Sequence, residues 1–113
     1  MILTELNAVL TETKIKIETG IFSGIPPKKY IVLTPLTDDF VLYADNKPQF
    51  DIQEVRISLF SKENYIADKN KIIALLFEND FQITERRYGG YDVILGYHAY
   101  SIDTQKAYGT EDL

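Results

Sequence analysis

Hydrophobic residues recur along this chain with two different periods, one typical of helices and one typical of strands. Spacings of three and four residues predict a short amphipathic helix from Ile2 to about Thr11, whose apolar face holds Ile2, Leu3, Leu6, Val9 and Leu10. The same spacing predicts a second helix of about fourteen residues after the N-cap candidates Ser61 and Asn64, ending at Asn79-Asp80. The pattern therefore predicts two helices, each with one face to bury.

Strict alternation of apolar and polar residues predicts the strands. The alternation is clearest near the middle of the chain, where one side carries Val55, Ile57 and Leu59 and the other carries Glu54, Arg56 and Ser58. Further strands are predicted at residues 14–18, 30–34, 40–44, 81–88 and 91–100.

Turn-forming residues separate these strands. Asp38-Asp39 and the segment from Asp45 to Pro48 are predicted to be the turns of a three-stranded meander. Gly89-Gly90 predicts a two-residue hairpin turn, because both positions tolerate positive φ. The element order α-β-β-β-β-α-β-β predicts an α+β fold, with a mostly antiparallel sheet of about five to six strands and two helices packed on one face. We expect a single α+β domain over residues 1–102 and a flexible polar C-terminal tail over residues 103–113.

The charge balance and the missing residue types narrow the class of protein. Lys and Arg total 12 and Asp and Glu total 17, giving a formal charge of −5, which argues against a protein that binds nucleic-acid phosphates or an anionic membrane surface. The chain has no Cys, which excludes disulfides, thiol nucleophiles and cysteine-ligated metals. No apolar run of about 18 residues occurs, and no basic and apolar leader follows Met1. We therefore expect no membrane span and no signal peptide, and a soluble protein made inside the cell.

No residue pattern in the chain predicts an active site. The one histidine, His98, has no carboxylate and nucleophile placed beside it by spacing, so we interpret it as an ordinary strand residue. Asp38-Asp39, and Asp45 with Asp51, lack the ligand spacing of a calcium loop and are better explained by turn chemistry. The closely spaced glycines match neither a dinucleotide-binding nor a phosphate-binding loop. We predict that the protein is not an enzyme and has no catalytic residue, cofactor or metal.

The aromatic content and the uncovered sheet face predict a protein that works by association. The sequence has 8 Tyr and 6 Phe, and tyrosine suits interfaces because its ring is apolar while its hydroxyl stays polar. β-propensity alone is the alternative explanation for these residues. Two helices cover only one face of such a sheet, so the other face or its edges need polar residues or a partner.

Three local patterns and their order are similar to a known family. The patterns are Pro26-Pro27-Lys28-Lys29-Tyr30-Ile31-Val32, then Tyr43-Ala44-Asp45-Asn46, then Ile57-Ser58-Leu59-Phe60-Ser61-Lys62 followed by Asn64-Tyr65. Together with the apolar helix, Phe81 and the Tyr97-His98 strand, they resemble the small tail-completion proteins of long-tailed bacteriophages and prophages. These proteins are also called tail terminators or head-to-tail joining proteins. The resemblance covers residues from about 10 to about 102.

The resemblance implies a ring-forming structural subunit, typically one of six, that caps the tail tube and joins it to the head. The implied partners are further copies of this chain, the major tail tube protein and the head-completion or connector protein. The implied location is the head-proximal end of the tail in the virion, after synthesis in the host cytoplasm. No cofactor, membrane or specific nucleic-acid binding is implied, although DNA passes through the ring. Subunits that each carry −5 would repel DNA phosphates and let the genome slide.

On this interpretation, contacts with neighbouring subunits or with the ring lumen are expected on the acidic turns and on the outward face of the meander. The candidate residues are Asp38, Asp39, Asp45, Asn46, Lys47, Glu54 and Arg56. The C-terminal tail is expected to become ordered on docking. Two alternatives remain open: another minor structural or head-completion protein of the virion, and a small ligand-binding or regulatory α+β domain with an apolar pocket.

Overall fold

The computed structural model describes residues 1–21, 24–44 and 47–110, and at 39–44 and 48 it describes only the backbone. Two helices and five strands make up this part of the chain. In chain order the elements are α1 (Ile2–Leu10), a 3-10 turn (Thr11–Thr13), β1 (Lys16–Thr19), β2 (Lys29–Ala44), β3 (Lys47–Ser61), α2 (Ile66–Glu78), β4 (Gln82–Tyr91) and β5 (His98–Gly109). The α+β class predicted from the sequence is confirmed.

The strands form one mixed sheet in the order β1-β2-β3-β5-β4. Only β1 and β2 pair in parallel, and the other three pairings are antiparallel. The register places Ile57 of β3 between Leu33 of β2 and Ile102 of β5, so the apolar positions of adjacent strands share one face. The predicted mostly antiparallel sheet is confirmed. The parallel pairing of β1 with β2 at one edge of the sheet was not predicted.

The core lies between this sheet face and the two helices. On β3, odd-numbered residues from Asp51 to Ser61 are buried and even-numbered residues are partly exposed, which is the period of a strand with one face covered. α1 buries Ile2, Leu6 and Leu10 at helical spacing, and α2 buries Ile72, Leu75 and Leu76. Full burial of one such side chain is worth about 1.5–3 kcal/mol, so this shared core fixes the helices on the sheet.

The predicted turn at Asp38-Asp39 is wrong, because β2 continues through it. Asp38 pairs with Gln53 and Asp39 with Ile52, after a register shift between Pro35 and Thr37. The long alternating strand β3 provides a partner for every one of these positions, and this pairing outweighs the local turn preference of aspartate. The expected three-stranded meander is therefore one hairpin of two long strands. Lys47 and Pro48 belong to β3, and Asp45 and Asn46 lie outside the described residues.

The predicted hairpin turn at Gly89-Gly90 is also wrong, because both glycines lie within β4. The register shifts between Tyr88 and Gly90, where Gly90 has φ 108°, so the positive φ serves a bulge in the strand and not a turn. The connection to β5 comes later and is organised by Asp92. Its Oδ1 accepts hydrogen bonds from the backbone N–H groups of Ile94 (2.9 Å) and Leu95 (3.1 Å).

The predicted flexible tail from Asp103 is wrong as far as Gly109, because these residues complete β5. Asp103 and Thr104 are buried. Lys106 Nζ forms a short ion pair with Glu5 of α1 and donates to the backbone O of Asn79 at 2.9 Å. The polar composition suggested a solvated tail, but each of these polar groups has a partner inside the fold. Residues 111–113 lie outside the described part of the chain.

Candidate interaction surface

The sheet face opposite α1 and α2, called here the open face, carries the partly exposed residues of the central strand. These are Ile52, Glu54, Arg56, Ser58 and Phe60 of β3. Their cross-strand neighbours on β5 run from Ala107 to Ala99, so the face changes character along the strands. Its middle is polar, and the end near Phe60 is aromatic.

The polar middle of the open face is a closed network of side chains. Arg56 donates to Asp103 through Nε and Nη2, at 2.8 and 3.0 Å from Oδ1 and Oδ2. Asp103 raises the pKa of the Arg56 guanidinium by hydrogen bonding and by its charge. Thr84 Oγ1 donates to Glu54 Oε2 at 2.8 Å. These groups are hydrogen-bond partners of one another within the chain, so they stabilise the sheet.

Among the predicted contact residues that the structure describes, Glu54 and Arg56 are brought together in this network. Asp38 lies exposed on β2, and Lys47 lies exposed at the start of β3. For Asp39 only the backbone is described, and Asp45 and Asn46 are not described. Asp38 and Glu54 lie on different faces of the sheet, because Asp38 pairs with Gln53 on the helix-covered side.

The aromatic end of the open face centres on three rings from three strands or their ends. Tyr30 stacks on Phe60 with centroids 4.8 Å apart, and Tyr97 meets Tyr30 edge to face at 5.4 Å. Tyr97 Oη donates a 2.6 Å hydrogen bond to the backbone O of Pro27, which ties the segment before β2 to the start of β5. Burial, with a smaller contribution from Tyr97, raises the pKa of Tyr30.

Around these rings the surface forms a groove of about 390 Å³, called here the aromatic groove. Its lining residues are Tyr30, Phe60, Gly89, Gly90, Tyr91, Asp92, Leu95, Tyr97 and Ala99. Glycines on β4 leave room beside Ala99, because a Cβ built at Gly89 would lie 3.4 Å from the Cβ of Ala99. A second depression shares Tyr30 and Phe60 and reaches Gly20 and Ile21, so the apolar surface continues towards β1.

Exposed apolar side chains occur in the β4–β5 loop, which supplies Leu95 to the aromatic groove, and in the segment before β2, which Tyr97 contacts. The β4–β5 loop exposes Val93 by 83%, Ile94 by 90% and Leu95 by 61%. The segment before β2 exposes Ile21 by 86% and Ile25 by 96%. Single exposed apolar residues are common in proteins, but a group of them beside an open aromatic groove is typical of an interaction site.

The β4–β5 loop holds its apolar residues in a defined geometry. Gly96 N–H donates to the backbone O of Asp92 at 2.7 Å, and Asp92 N–H donates to the backbone O of Tyr97 at 2.9 Å. Together with the two bonds accepted by the Asp92 carboxylate, this closes the loop at its base. The apolar tip is therefore preorganised, and less conformational entropy would be lost when it docks.

A second aromatic cluster lies on the helix-covered side at the same end of the sheet. Tyr65 at the start of α2 stacks on Tyr88 (5.3 Å) and Tyr100 (5.8 Å), and His98 packs against Tyr91 (4.7 Å). His98 Nδ1 lies 2.9 Å from Tyr88 Oη. These contacts make His98 part of a ring cluster, which agrees with its interpretation as a strand residue.

Residues 1–21, 24–44 and 47–110 contain neither a metal-ligand cluster nor a membrane-spanning helix. Within these ranges no group of three or more His, Cys, Asp or Glu side chains could hold a metal ion. The helices there are too short and too polar to cross a membrane.

The sequence interpretation missed this surface because it assigned residues 91–100 to a strand. In that assignment Val93 and Leu95 would lie on one face of the strand, opposite Ile94. The signal that could have identified the loop is Asp92 before three apolar residues and Gly96, since Asp commonly caps a turn through its side chain and Gly accepts positive φ. Gly96 has φ 79°.

Comparisons with known proteins add no identity to these observations. No protein-family model matches the chain, and no curated protein matches it.

Proposed function

We propose that the chain is a structural, non-enzymatic subunit that assembles with copies of itself into a ring, caps a bacteriophage tail tube and joins it to the head connector. The observation that carries the assembly half of this proposal is the aromatic groove flanked by exposed Val93, Ile94 and Ile25. The tail half comes from the sequence patterns that resemble tail-completion proteins. Two of those patterns, Pro26 to Val32 and Ile57 to Tyr65, contribute rings to the groove and to the ring cluster on the helix-covered side at the same end of the sheet.

Shape and charge are compatible with a ring subunit. The chain is elongated, 55 Å by 26 Å by 22 Å, with the aromatic groove at one end of the sheet and the β2–β3 hairpin at the other. Its formal charge of −5 would give a ring of several copies a strongly acidic field, which favours free passage of DNA. An elongated subunit with different ends suits head-to-tail contacts around a ring.

The direct test uses tail tubes assembled in the absence of this protein. Added protein should bind the head-proximal tube end, stop tube growth there and permit joining to filled heads, as seen by negative-stain imaging and by recovery of infectious particles. The Phe77→Ser variant is a control that should cap and join tubes as the unchanged protein does. Phe77 is 64% exposed but lies on α2, away from the groove. Tubes that terminate and join equally well without the protein would refute the tail role.

Location separates this proposal from the nearest alternative, a head-completion or other minor virion protein. Gold-labelled protein at the tube's proximal end supports tail completion, and label in the head supports the alternative. The groove also favours one alternative outside the virion, because about 390 Å³ falls within the size range of small-molecule sites. A ligand-binding domain would show thermal stabilisation by one class of small molecule, and a capping subunit would not.

A further inference from the structure

We propose that the aromatic groove of one copy receives the apolar tip of the β4–β5 loop of a second copy, and that the contact is reciprocal about a two-fold axis. The apolar tip is Val93 and Ile94, and the receiving surface is the groove lined by Tyr30, Phe60 and Tyr97. The inference rests on the proposed function, because both require copies of the chain to associate. It adds the segment that enters the groove and the symmetry of the contact.

The apolar tip is a rigid projection that its own chain leaves in water. Val93 is 83% exposed and Ile94 is 90% exposed, so neither side chain fills the groove of its own copy. The Asp92 carboxylate accepts hydrogen bonds from the backbone N–H groups of Ile94 and Leu95, which fixes the backbone beneath these side chains. Burial in a partner would therefore remove apolar surface from water at a small cost in ordering the loop.

The groove offers the open apolar space that such a projection needs. Its walls include the rings of Tyr30, Phe60 and Tyr97, and its floor on β4 includes Gly89 and Gly90. A Cβ built at Gly90 would meet no atom within 4 Å, so the space above this position is open. Aliphatic side chains pack well against aromatic rings on a sheet surface. The tip and the groove are therefore complementary in both shape and chemistry.

The tip and the groove are neighbours on the chain, and this favours a two-fold contact. Leu95 lines the groove, and Val93 and Ile94 precede it in the same loop. A copy that inserts its tip into the groove of a second copy therefore brings its own groove up to the tip of that copy. An isologous contact of this kind uses the same patch on both copies. It is complete with two copies, so a larger ring requires a further surface between dimers.

Opposite charges border the groove in different places. Lys62 follows β3, and its Nζ lies 5.1 Å from the centroid of the Tyr97 ring. Asp92 follows β4 and lines the groove. Because β5 lies between β3 and β4, the sheet order separates the basic side of the groove from the acidic side. In the reciprocal contact, Asp92 moves with the tip towards Lys62 of the other copy, and this pair forms twice per dimer.

Other charged side chains near the groove are paired within the chain, namely Lys29 with Glu63 and Asp68, and Arg87 with Glu85. Lys28 adds to the basic side, because it is exposed and its backbone O accepts a hydrogen bond from Lys62 N–H at 2.9 Å. Two basic groups therefore face one acidic group in each half of the contact. Charge orients the two copies, and burial of the apolar tip supplies most of the driving force.

The absence of cysteine from the sequence allows a crosslinking test with low background. Val93→Cys marks the tip and Lys28→Cys marks the basic side of the groove, and both side chains are exposed. One variant carries a small tag, so that mixed dimers are recognised by mass after treatment with a short bis-maleimide. We expect mixed dimers from the two variants together, and dimers with nothing larger from the double variant. Phe77→Cys replaces Lys28→Cys in the matched control and should give no mixed dimer with Val93→Cys.

Other outcomes overturn the proposal. A ladder above the dimer from the double variant would show a head-to-tail contact in place of a two-fold one. Equal crosslinking of Val93→Cys to positions 28 and 77 would show a non-specific contact. Absence of mixed dimers, with protein that sediments as a monomer at every soluble concentration, would show that the groove takes a different protein or a small molecule.

Tail tubes separate this inference from the proposed function. If the protein caps and joins tubes but gives no mixed dimer, the contact between tip and groove is wrong and the tail role stands. If the mixed dimer forms but tubes are neither capped nor joined, the contact stands and the tail role is wrong.

The charge pair has its own test by a double-mutant cycle. Asp92→Asn removes the charge but keeps a side-chain oxygen for the loop hydrogen bonds, and Lys62→Gln removes the opposite charge. Each variant should weaken the dimer about two- to tenfold, because two exposed ion pairs are lost per dimer, and both effects should shrink at high salt. The variant with both changes should be no weaker than either single variant. Lys71→Gln, at an exposed position on α2, is the control and should dimerise as the parent does. If the two effects add in full, measured by sedimentation, Asp92 and Lys62 do not meet and the two-fold arrangement is wrong.

Discussion

Arg56 of β3 and Asp103 of β5 form a two-point ion pair on the open face, with Nε–Oδ1 and Nη2–Oδ2 distances of 2.8 and 3.0 Å. Asp103 is 7% exposed, and Thr84 Oγ1 of β4, which donates to Glu54, lies 3.2 Å from the backbone O of Asp103. The ion pair therefore links β3 to β5 next to β4. Arg56 was a predicted contact with a neighbouring subunit, and the structure gives it a partner within its own chain.

Replacing Asp103 by Ala should lower the free energy of unfolding by about 1.5–3 kcal/mol, because two charge-assisted hydrogen bonds are lost and Arg56 remains partly buried without its partner. The measurement is urea denaturation followed by circular dichroism. Ser101→Ala is the control, since Ser101 lies two residues away on the same strand and face. Equal stability of the two variants would show that the ion pair contributes nothing measurable.

The sequence predicted the parts of the fold that depend on periodicity. The alternation around Val55 and Ile57 and the helical spacing of Ile72 and Leu76 correspond to elements in the structure, because burial of one face imposes the period. Errors arose where pairing between distant strands outweighed local preference. Asp38-Asp39 lies within a strand because β3 runs alongside it.

The candidate surface was predicted less well, for a physical reason. Tyr30, Phe60 and Tyr97 are far apart in sequence, and only the order of strands brings their rings together. Strand order depends on which edges pair, and a single sequence does not encode this in any local pattern. Most of the contact residues predicted from the sequence are charged, and they were chosen for that charge. Of these, Glu54 and Arg56 turned out to have partners within the sheet.

A tyrosine on the C-terminal strand β5 predicts that the stability of the fold depends on pH. Tyr108 is half-buried, and its Oη donates to Glu5 Oε1 at 3.2 Å. The pKa of this phenol is raised above its ordinary value of 10.0, mainly by burial and to a smaller extent by the charge of Glu5. A raised pKa means that the folded state favours the protonated phenol. The resulting stability is complete below pH 10 and is lost as the pH rises above it.

Tyr108→Phe removes this titration and should flatten the loss of stability at alkaline pH. At neutral pH the variant should be less stable by about 1 kcal/mol, the value of one hydrogen bond. Above pH 10 the phenol ionises in the unfolded state while burial and Glu5 keep it protonated in the folded state, so the difference should shrink or reverse. Denaturation midpoints between about pH 8 and about pH 11 test this linkage. A constant difference in stability over the whole pH range would show that ionisation of Tyr108 does not contribute to the pH dependence.

The bulge in β4 predicts unequal effects at two adjacent glycines. Gly90 has φ 108°, and a Cβ there would meet no atom within 4 Å, so Gly90→Ala strains only the backbone. Such strain costs about 1–3 kcal/mol. Gly89→Ala is the matched control, since its added Cβ would lie 3.4 Å from Ala99 without requiring positive φ. Thermal denaturation should rank Gly90→Ala as the less stable variant, and the opposite order would contradict the bulge geometry.

The apolar tip of the β4–β5 loop predicts a separation between stability and assembly. Val93 and Ile94 are 83% and 90% exposed, so replacing both with Ser should change the free energy of unfolding by less than about 0.5 kcal/mol per residue. The hydrogen bonds that shape the loop are accepted by Asp92 and donated by backbone groups, so they survive the change.

If the tip forms part of the docking surface, the Val93→Ser, Ile94→Ser variant should remain folded and lose self-association, because the apolar area that drives the contact is gone. Sedimentation over a concentration series measures this loss, and circular dichroism checks the fold. Phe77→Ser removes a comparably exposed apolar side chain from α2 and should associate as the parent does. Equal losses in both variants would mean that general hydrophobicity, and not this surface, holds the copies together.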